Sequence, residues 1–182
     1  MKFLIILAIV LLAVSPAVFA EKNQEQRGVS VNTKQKRSLS RSLNSLDGGW
    51  VYRSGYCYFF STTTVLSWYE ARKECYKLGS DLASIHSPEE QAFIMNWERK
   101  ISNAFNGKKP IWIGGNDIKT EGTFEWDDDS YYCYTNWYTG EPNNSGGIED
   151  CVDILYSYKY SGQWNDMSCT ATNHRYVCKK SC

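Results

Sequence analysis

Histidine is almost missing from this chain, with two in 182 residues. Neither His86 nor His174 lies near a plausible nucleophile in sequence, so histidine-assisted nucleophilic catalysis has no footing, and both are read as surface or strand residues. Seven cysteines are present, yet none stands in a Cys-x-x-Cys pair, which argues against zinc ribbons and thioredoxin-like redox sites. Beyond residue 20 no segment approaches the roughly 20 consecutive apolar residues that a bilayer span requires. Aromatic residues are absent from Glu21 to Gly49. That stretch is dominated by Ser, Asn, Gln, Lys and Arg, and it cannot bury enough apolar surface to fold alone. There is no internal repeat. The formal net charge is zero but unevenly placed: residues 21–47 carry six basic and three acidic residues, residues 48–182 thirteen and seventeen. An acidic domain argues against a nucleic-acid partner.

Three regions follow. In residues 1–20, Lys2 precedes a continuous apolar run from Phe3 to Leu12, and Val18-Phe19-Ala20 offers small residues where a signal peptidase reads. This is a secretory signal, and it sends the chain to an oxidising, extracellular setting where disulfides persist. Residues 21–47 are a disordered leader or a pro-segment, the second reading resting on Lys34-Gln35-Lys36-Arg37 and Arg41. Residues 48–182 form the folded domain.

Within that domain Val51 to Phe60, rich in Tyr and Phe, reads as a strand or hairpin. Ser67-Trp68-Tyr69-Glu70 is a capping box opening a helix to about Leu78, with Gly79 as its stop and Ala71, Cys75 and Leu78 on one face. A second box, Ser87-Pro88-Glu89-Glu90, opens a helix to about Lys100, with Pro88 at its first position and Phe93, Ile94 and Trp97 facing inward. Ile111 to Gly115, Cys151 to Tyr156 and His174 to Lys179 read as core strands. A long polar region separates the first two of these, and such loops are usually functional. Within it, Asp127-Asp128-Asp129 reads as a solvated turn. Two helices followed by short strands define an α+β domain.

The chemistry concentrates between Glu141 and Asp166. Glu141-Pro142-Asn143, Glu149-Asp150-Cys151 and Trp164-Asn165-Asp166 bring together oxygen donors and little else. Calcium takes six to eight oxygen ligands at about 2.3–2.6 Å, and carboxylates mixed with amide carbonyls meet that demand. Glu141, Asn143, Glu149, Asn165 and Asp166 are the candidate principal ligands. Two amides and three acids leave positions open for an outside ligand. The same groups suit a sugar diol, because an amide can donate to a hydroxyl while a carboxylate accepts its proton.

These three motifs, in this order and with Cys151 and Cys169 in place, resemble the C-type lectins. The Glu-Pro-Asn form resembles their mannose-type members. The likeness extends over residues 48–182, through Trp68-Tyr69-Glu70-Ala71-Arg72 with Cys75 and through Trp112-Ile113-Gly114-Gly115. It implies the C-type lectin-like fold: two helices, small antiparallel sheets, a long calcium-binding loop and stabilising disulfides. It also implies a cis bond before Pro142 and pairings of Cys75 with Cys178 and Cys151 with Cys169. Chain ends lie side by side in this fold, which makes Cys57–Cys182 a further hypothesis. Cys133 is then left over, as a buried thiol, an adduct, or an interchain bond linking a homodimer. Asp117, Glu121, Asn144, Glu149 and Asp150 resemble the family's auxiliary calcium site. Asn143-Asn144-Ser145 is also a glycosylation sequon, but the register of the other four donors favours ligation at Asn143.

The resemblance therefore implies a secreted, non-enzymatic, calcium-dependent lectin for vicinal equatorial hydroxyls, as on mannose, N-acetylglucosamine, glucose or fucose. The alternatives are a mineral-matrix or ice-binding protein on the same fold, and a protein-binding receptor domain.

Overall fold

The structure is a computed structural model that describes residues 49–64, 67–105, 107–157 and 161–182. The signal and leader assignments lie outside the described residues. Strands β1 (Trp50–Arg53) and β2 (Tyr56–Phe60) form the expected hairpin. They are followed by α1 (Trp68–Lys77), β3 (Asp81–Leu82), α2 (Pro88–Ala104), β4 (Ile111–Asn116), β5 (Glu125–Trp126), β6 (Cys151–Tyr156), β7 (Ser161–Met167) and β8 (Arg175–Ser181).

Both helices start where the capping boxes place them. The Ser67 hydroxyl accepts from the Glu70 amide at 3.1 Å, and the Ser87 hydroxyl from the Glu90 amide at the same distance. Each bond satisfies one of the donors a helix N-terminus leaves free. Helix α1 stops at Leu78, where Gly79 takes a left-handed φ of 66°. Leu78 departs from the expected face: the chain is already leaving the helix there, and its side chain is exposed rather than packed with Ala71 and Cys75. Helix α2 runs one turn beyond the expected Lys100, because Ile101 and Ala104 continue its buried stripe.

The strands lie in the order β1-β2-β8-β4-β6-β7, with β3 pairing β8 and β5 pairing β4. All pairings are antiparallel except β4 with β8, which is parallel, with Ile111 opposite Arg175 and Trp112 opposite Tyr176. The expected small antiparallel sheets are present, and this one parallel pairing joins them. That junction makes one continuous eight-stranded sheet. One core holds Tyr58, Phe60, Ile94, Ile101, Ile113, Val152, Ile154 and Trp164. A second holds Trp50, Trp68, Ala71, Cys75, Trp112 and Tyr176. Each large side chain so buried contributes about 1.5–3 kcal/mol.

Disulfides join Cys75 to Cys178, Cys151 to Cys169 and Cys57 to Cys182, and Cys133 is free and exposed rather than buried. The acidic run departs from its expected solvation. Asp127 is almost fully buried and pairs with Arg72, and Asp128 accepts from the Ser84 hydroxyl at 2.5 Å. His174 is likewise no surface residue: it is buried, which follows from its contacts described below. Two further charged pairs are buried. Lys179 reaches Glu90 at 2.7 Å, where Tyr58 also donates, and Arg175 stands 3.6 Å from Glu98 while donating to Ser102 and Gly107.

Burial pushes the Glu98 carboxyl up to about 8 against the pull of Arg175. In the unfolded chain a glutamate titrates near about 4.3, so between these values the native state holds a proton that the unfolded state has lost. Stability from this group is therefore full at low pH and declines as pH rises through that window. Thermal melts at about pH 5 and about pH 8 should show wild type losing more stability than Glu98→Gln. Identical losses in the two proteins would contradict this assignment.

Candidate cation and ligand site

The site is built on the β6–β7 ladder. Val152 faces Asp166, Asp153 faces Asn165 and Ile154 faces Trp164. Strand alternation then divides the Trp164-Asn165-Asp166 motif between two faces. Trp164 points down into the core, edge-on to Trp126, Tyr134 and Trp137, and its indole N–H donates to Gln91 at 2.9 Å. Asp166 emerges on the same side one step further along, beneath the polar loop. The loop is tied to this strand by backbone bonds from Trp164 N to Asn136 O and from Tyr138 N to Trp164 O, both at 2.8 Å.

Beyond Tyr138 the loop has little regular structure besides a short turn at Ser145–Gly147. Asn144, Gly146 and Gly147 all take left-handed φ values, of 42°, 72° and 69°. Glycine adopts this region freely and asparagine tolerates it, so the Asn-Ser-Gly-Gly composition permits the tight reversal that returns Glu149 toward Glu141. The Glu141–Pro142 bond is cis, as the resemblance implies.

Asp166 gathers the loop. Its two carboxylate oxygens accept from the amides of Asn143 at 3.0 Å and Asn144 at 2.6 Å, and its own carbonyl accepts from the Asn165 side chain at 2.6 Å. Glu149 accepts from the Ser145 amide at 2.8 Å and donates its own N–H to the Asn144 side chain at 3.1 Å. The Glu141 and Asp166 carboxyls meet. Partial burial, that contact and the nearby Glu149 push Glu141 up to about 7. One buried Glu141 oxygen, Oε2, has no hydrogen-bond partner among the described residues. Burial also raises Glu149, along with the repulsion of Asp166 and Asp153, against the pull of the Ser145 N–H.

Two facing carboxylates satisfy neither oxygen without a proton or a cation between them. The surrounding donors are amide and carboxylate oxygens, a hard set that fits calcium. Among the described residues no three Asp, Glu, His or Cys side chains are grouped closely enough to hold a metal by themselves. The five candidate residues include two amides, and Asp166 and Glu149 are turned toward backbone N–H groups, which accounts for that result.

The candidate auxiliary residues lie beside these. Asp117 is buried, accepts from the Gly122 amide at 2.8 Å and keeps its other oxygen unpartnered among the described residues. Its pKa is raised by burial and by Glu121 and Asp150. Asn144 turns instead toward Glu149. A separate cleft of about 590 Å³ is lined by Trp68, Tyr69, Arg72, Tyr76, Asp81 and Asp127 among others, and it includes none of the five principal residues.

Two residues that the sequence reading passed over stand behind Asn165. Asp153 is 1% exposed and its Oδ2 lies 2.9 Å from His174 Nε2. His174 stacks on Trp112 with ring centroids 3.9 Å apart. A single acid inside the apolar run Cys-Val-Asp-Ile-Leu was the available signal, since a buried charge needs a partner.

The sequence profile of the Lectin C-type domain matches residues 64–180. Ladderlectin of Oncorhynchus mykiss is 37% identical over 130 residues, covering 71% of this chain and 65% of that protein. The chain spans only 39% to 65% of the length of the first curated relatives it matches. Among solved structures, the cow C-type carbohydrate-recognition domain of CD23, crystallised in the presence of GlcNAc2Man3 oligosaccharide, is 38% identical with a TM-score of 0.63, covering 73% of this chain and 93% of that one. Herring type II antifreeze protein is 31% identical with a TM-score of 0.62, covering 73% and 96%. Relatives of this kind are non-enzymatic carbohydrate-binding or receptor proteins.

Because Asp166 holds two loop amides, Asp166→Ala should speed hydrogen exchange at Asn143 and Asn144 by about tenfold or more in calcium-free protein. Unchanged exchange at both amides would show that other contacts hold the loop.

Proposed function

The chain belongs to the C-type lectin domain family, and on that premise we propose that it is a secreted, calcium-dependent lectin for mannose-type sugars. The observation that carries the reading is the Glu141–Asp166 contact: two carboxyls brought together, one oxygen buried without a partner, and Glu141 raised to about 7 by burial and its acidic neighbours. Elsewhere the buried acids Glu90, Glu98 and Asp153 face Lys179, Arg175 and His174. Here none of the described residues supplies such a partner, and an oxygen-rich donor set surrounds the gap.

Glu141, Asn143, Glu149, Asn165 and Asp166 would hold the ion. Calcium, when bound, neutralises the acids and offers open positions to two vicinal hydroxyl oxygens of a sugar. Around those hydroxyls, Glu141 and Glu149 would accept hydrogen bonds while Asn143 and Asn165 would donate them from their amides. Asp166 keeps the loop backbone against the strand. Asp117, Glu121, Asn144, Glu149 and Asp150 would hold a weaker second ion. No covalent step is involved.

So few sugar atoms touch the protein that single-site affinity should be millimolar, about −4 kcal/mol. Binding to a glycan surface then rests on several sites acting together. The exposed Cys133 thiol is the group that would join two copies.

The secreted protein should be retained on mannose-agarose in calcium, released by chelator, and pass through galactose-agarose. Failure on both resins, in protein shown to take up calcium, would move an ice-binding, mineral-binding or receptor role ahead. The pH dependence has a definite sign. Protons and the ion compete for the same oxygens, so retention should fall as the pH drops from about 7 to about 4.5, while Glu141 and Glu149, both raised, take up protons. Full retention at the lower pH would contradict direct carboxylate ligation.

A further inference from the structure

Asp153 sits on the face of β6 opposite the main core, between Trp112 on β4 and Asn165 on β7 in the strand registers. Its Oδ2 lies 2.9 Å from His174 Nε2, and His174 Nδ1 lies 3.0 Å from the Thr172 carbonyl. That carbonyl can only accept, so Nδ1 carries hydrogen. One further proton then lies between Nε2 and Asp153, whichever of the two owns it, and the pair is neutral overall.

The other Asp153 oxygen, Oδ1, is buried and has no hydrogen-bond partner within normal geometry among the described residues. An oxygen left in that state loses its hydration without a replacement bond, which is costly. Directly across the ladder, paired with Asp153 in the strand register, stands Asn165. It lies beside the Asp153 carboxyl and opposes the upward shift that burial imposes on it. Asn165 Nδ2 carries two hydrogens and gives one to the Asp166 carbonyl at 2.6 Å.

We infer that Asp153, anchored by His174, is a positioning residue that takes one Asn165 amide hydrogen and thereby aims the Asn165 carbonyl oxygen toward the ion. The inference rests on the calcium reading proposed above. An asparagine side chain can present either end of its amide, and only the oxygen end can ligate a cation. With one hydrogen held from behind by Asp153 and the other on the Asp166 carbonyl, the amide cannot turn over, and the Asp166 bond is the one a sugar hydroxyl would replace. His174, clamped between the Thr172 carbonyl and the Trp112 ring, prevents Asp153 from swinging away. Partners that orient a ligand in this way typically change metal affinity by about 10–100-fold when removed.

The test uses the full chain. In ¹H–¹⁵N spectra of calcium-free protein, with the Asn165 side-chain signals assigned by their loss in Asn165→Ala, both amide hydrogens of wild type should be shifted downfield and slow to exchange, one on the Asp166 carbonyl and one on Asp153, and Asp153→Val should release one of them. Calorimetric titration with calcium chloride should then give about 10–100-fold weaker binding for Asp153→Val. Asp153→Asn should retain most of the affinity, because its amide can donate to a neutral His174 while its oxygen still accepts from Asn165. Melting temperatures in chelator separate this from a general loss of stability. Unchanged Asn165 amide signals in Asp153→Val, or wild-type calcium affinity in that variant, would overturn the inference. A wild-type protein with no calcium affinity would instead overturn the proposed function, while the amide signal would still decide whether Asp153 holds Asn165.

Discussion

The polar loop depends on Trp164. A segment of more than thirty residues between β4 and β6 cannot supply its own core, yet its reactive end must be held still. Trp164 solves this by lying fully buried beneath it, with Trp126, Tyr134 and Trp137 packed edge-on around its ring and Gln91 of α2 accepting its N–H. Edge-to-face packing adds about 0.5–1.5 kcal/mol per pair beyond area burial. The next two residues of the strand inherit that rigidity. Asn165 and Asp166 are thus presented from a strand, while Glu141, Asn143 and Glu149 come from loop backbone that Asp166 itself captures. The Cys151–Cys169 disulfide closes the other side of the same ladder.

The acids of this domain fall into two groups. Glu90, Glu98 and Asp127 are buried, and each has a basic partner: Lys179, Arg175 and Arg72. Lys179, Tyr58 and the His86 N–H outweigh the burial of Glu90 and hold its carboxyl below the usual range. Glu98 rises because its burial outweighs Arg175, whereas Glu141 and Glu149 rise because burial and neighbouring carboxyls act together without a cation to offset them. The contrast within one molecule supports reading the loop as a place where positive charge arrives from outside. Asp153 belongs to neither group, since His174 makes it part of a neutral pair at the edge of the acidic loop.

Much of the fold was legible because its signals are local. A serine followed three residues later by glutamate starts a helix wherever the chain goes, and both capping boxes behave so. The hairpin from Val51 to Phe60 and the strands β4, β6 and β8 also stood out, as dense runs of aromatic and β-branched residues. Other elements escaped for equally physical reasons. Strands β3 and β5 are two residues long and exist only because β8 and β4 pair with them. Strand β7 carries Gly, Gln, Asn and Asp, residues of low strand propensity, and is held by its ladder with β6. Asp127 and Asp128 read as a solvated turn because nothing in their neighbourhood announces that Arg72 and Ser84 will fold over them.

What the sequence determined by itself was the inventory: oxygen donors grouped in three short motifs, capped helices, and cysteines spaced as the resemblance requires. Residue type and short-range spacing are enough for that, since ligand hardness and capping do not depend on distant contacts. The tertiary structure decided everything that requires two remote segments to meet. It joined β4 to β8 in parallel, exposed Cys133, brought Glu141 against Asp166 across 25 positions of chain, and put His174 behind Asp153 and Asp153 behind Asn165. Burial and facing partners set the protonation and orientation of those groups, and neither can be read from a residue's neighbours in sequence.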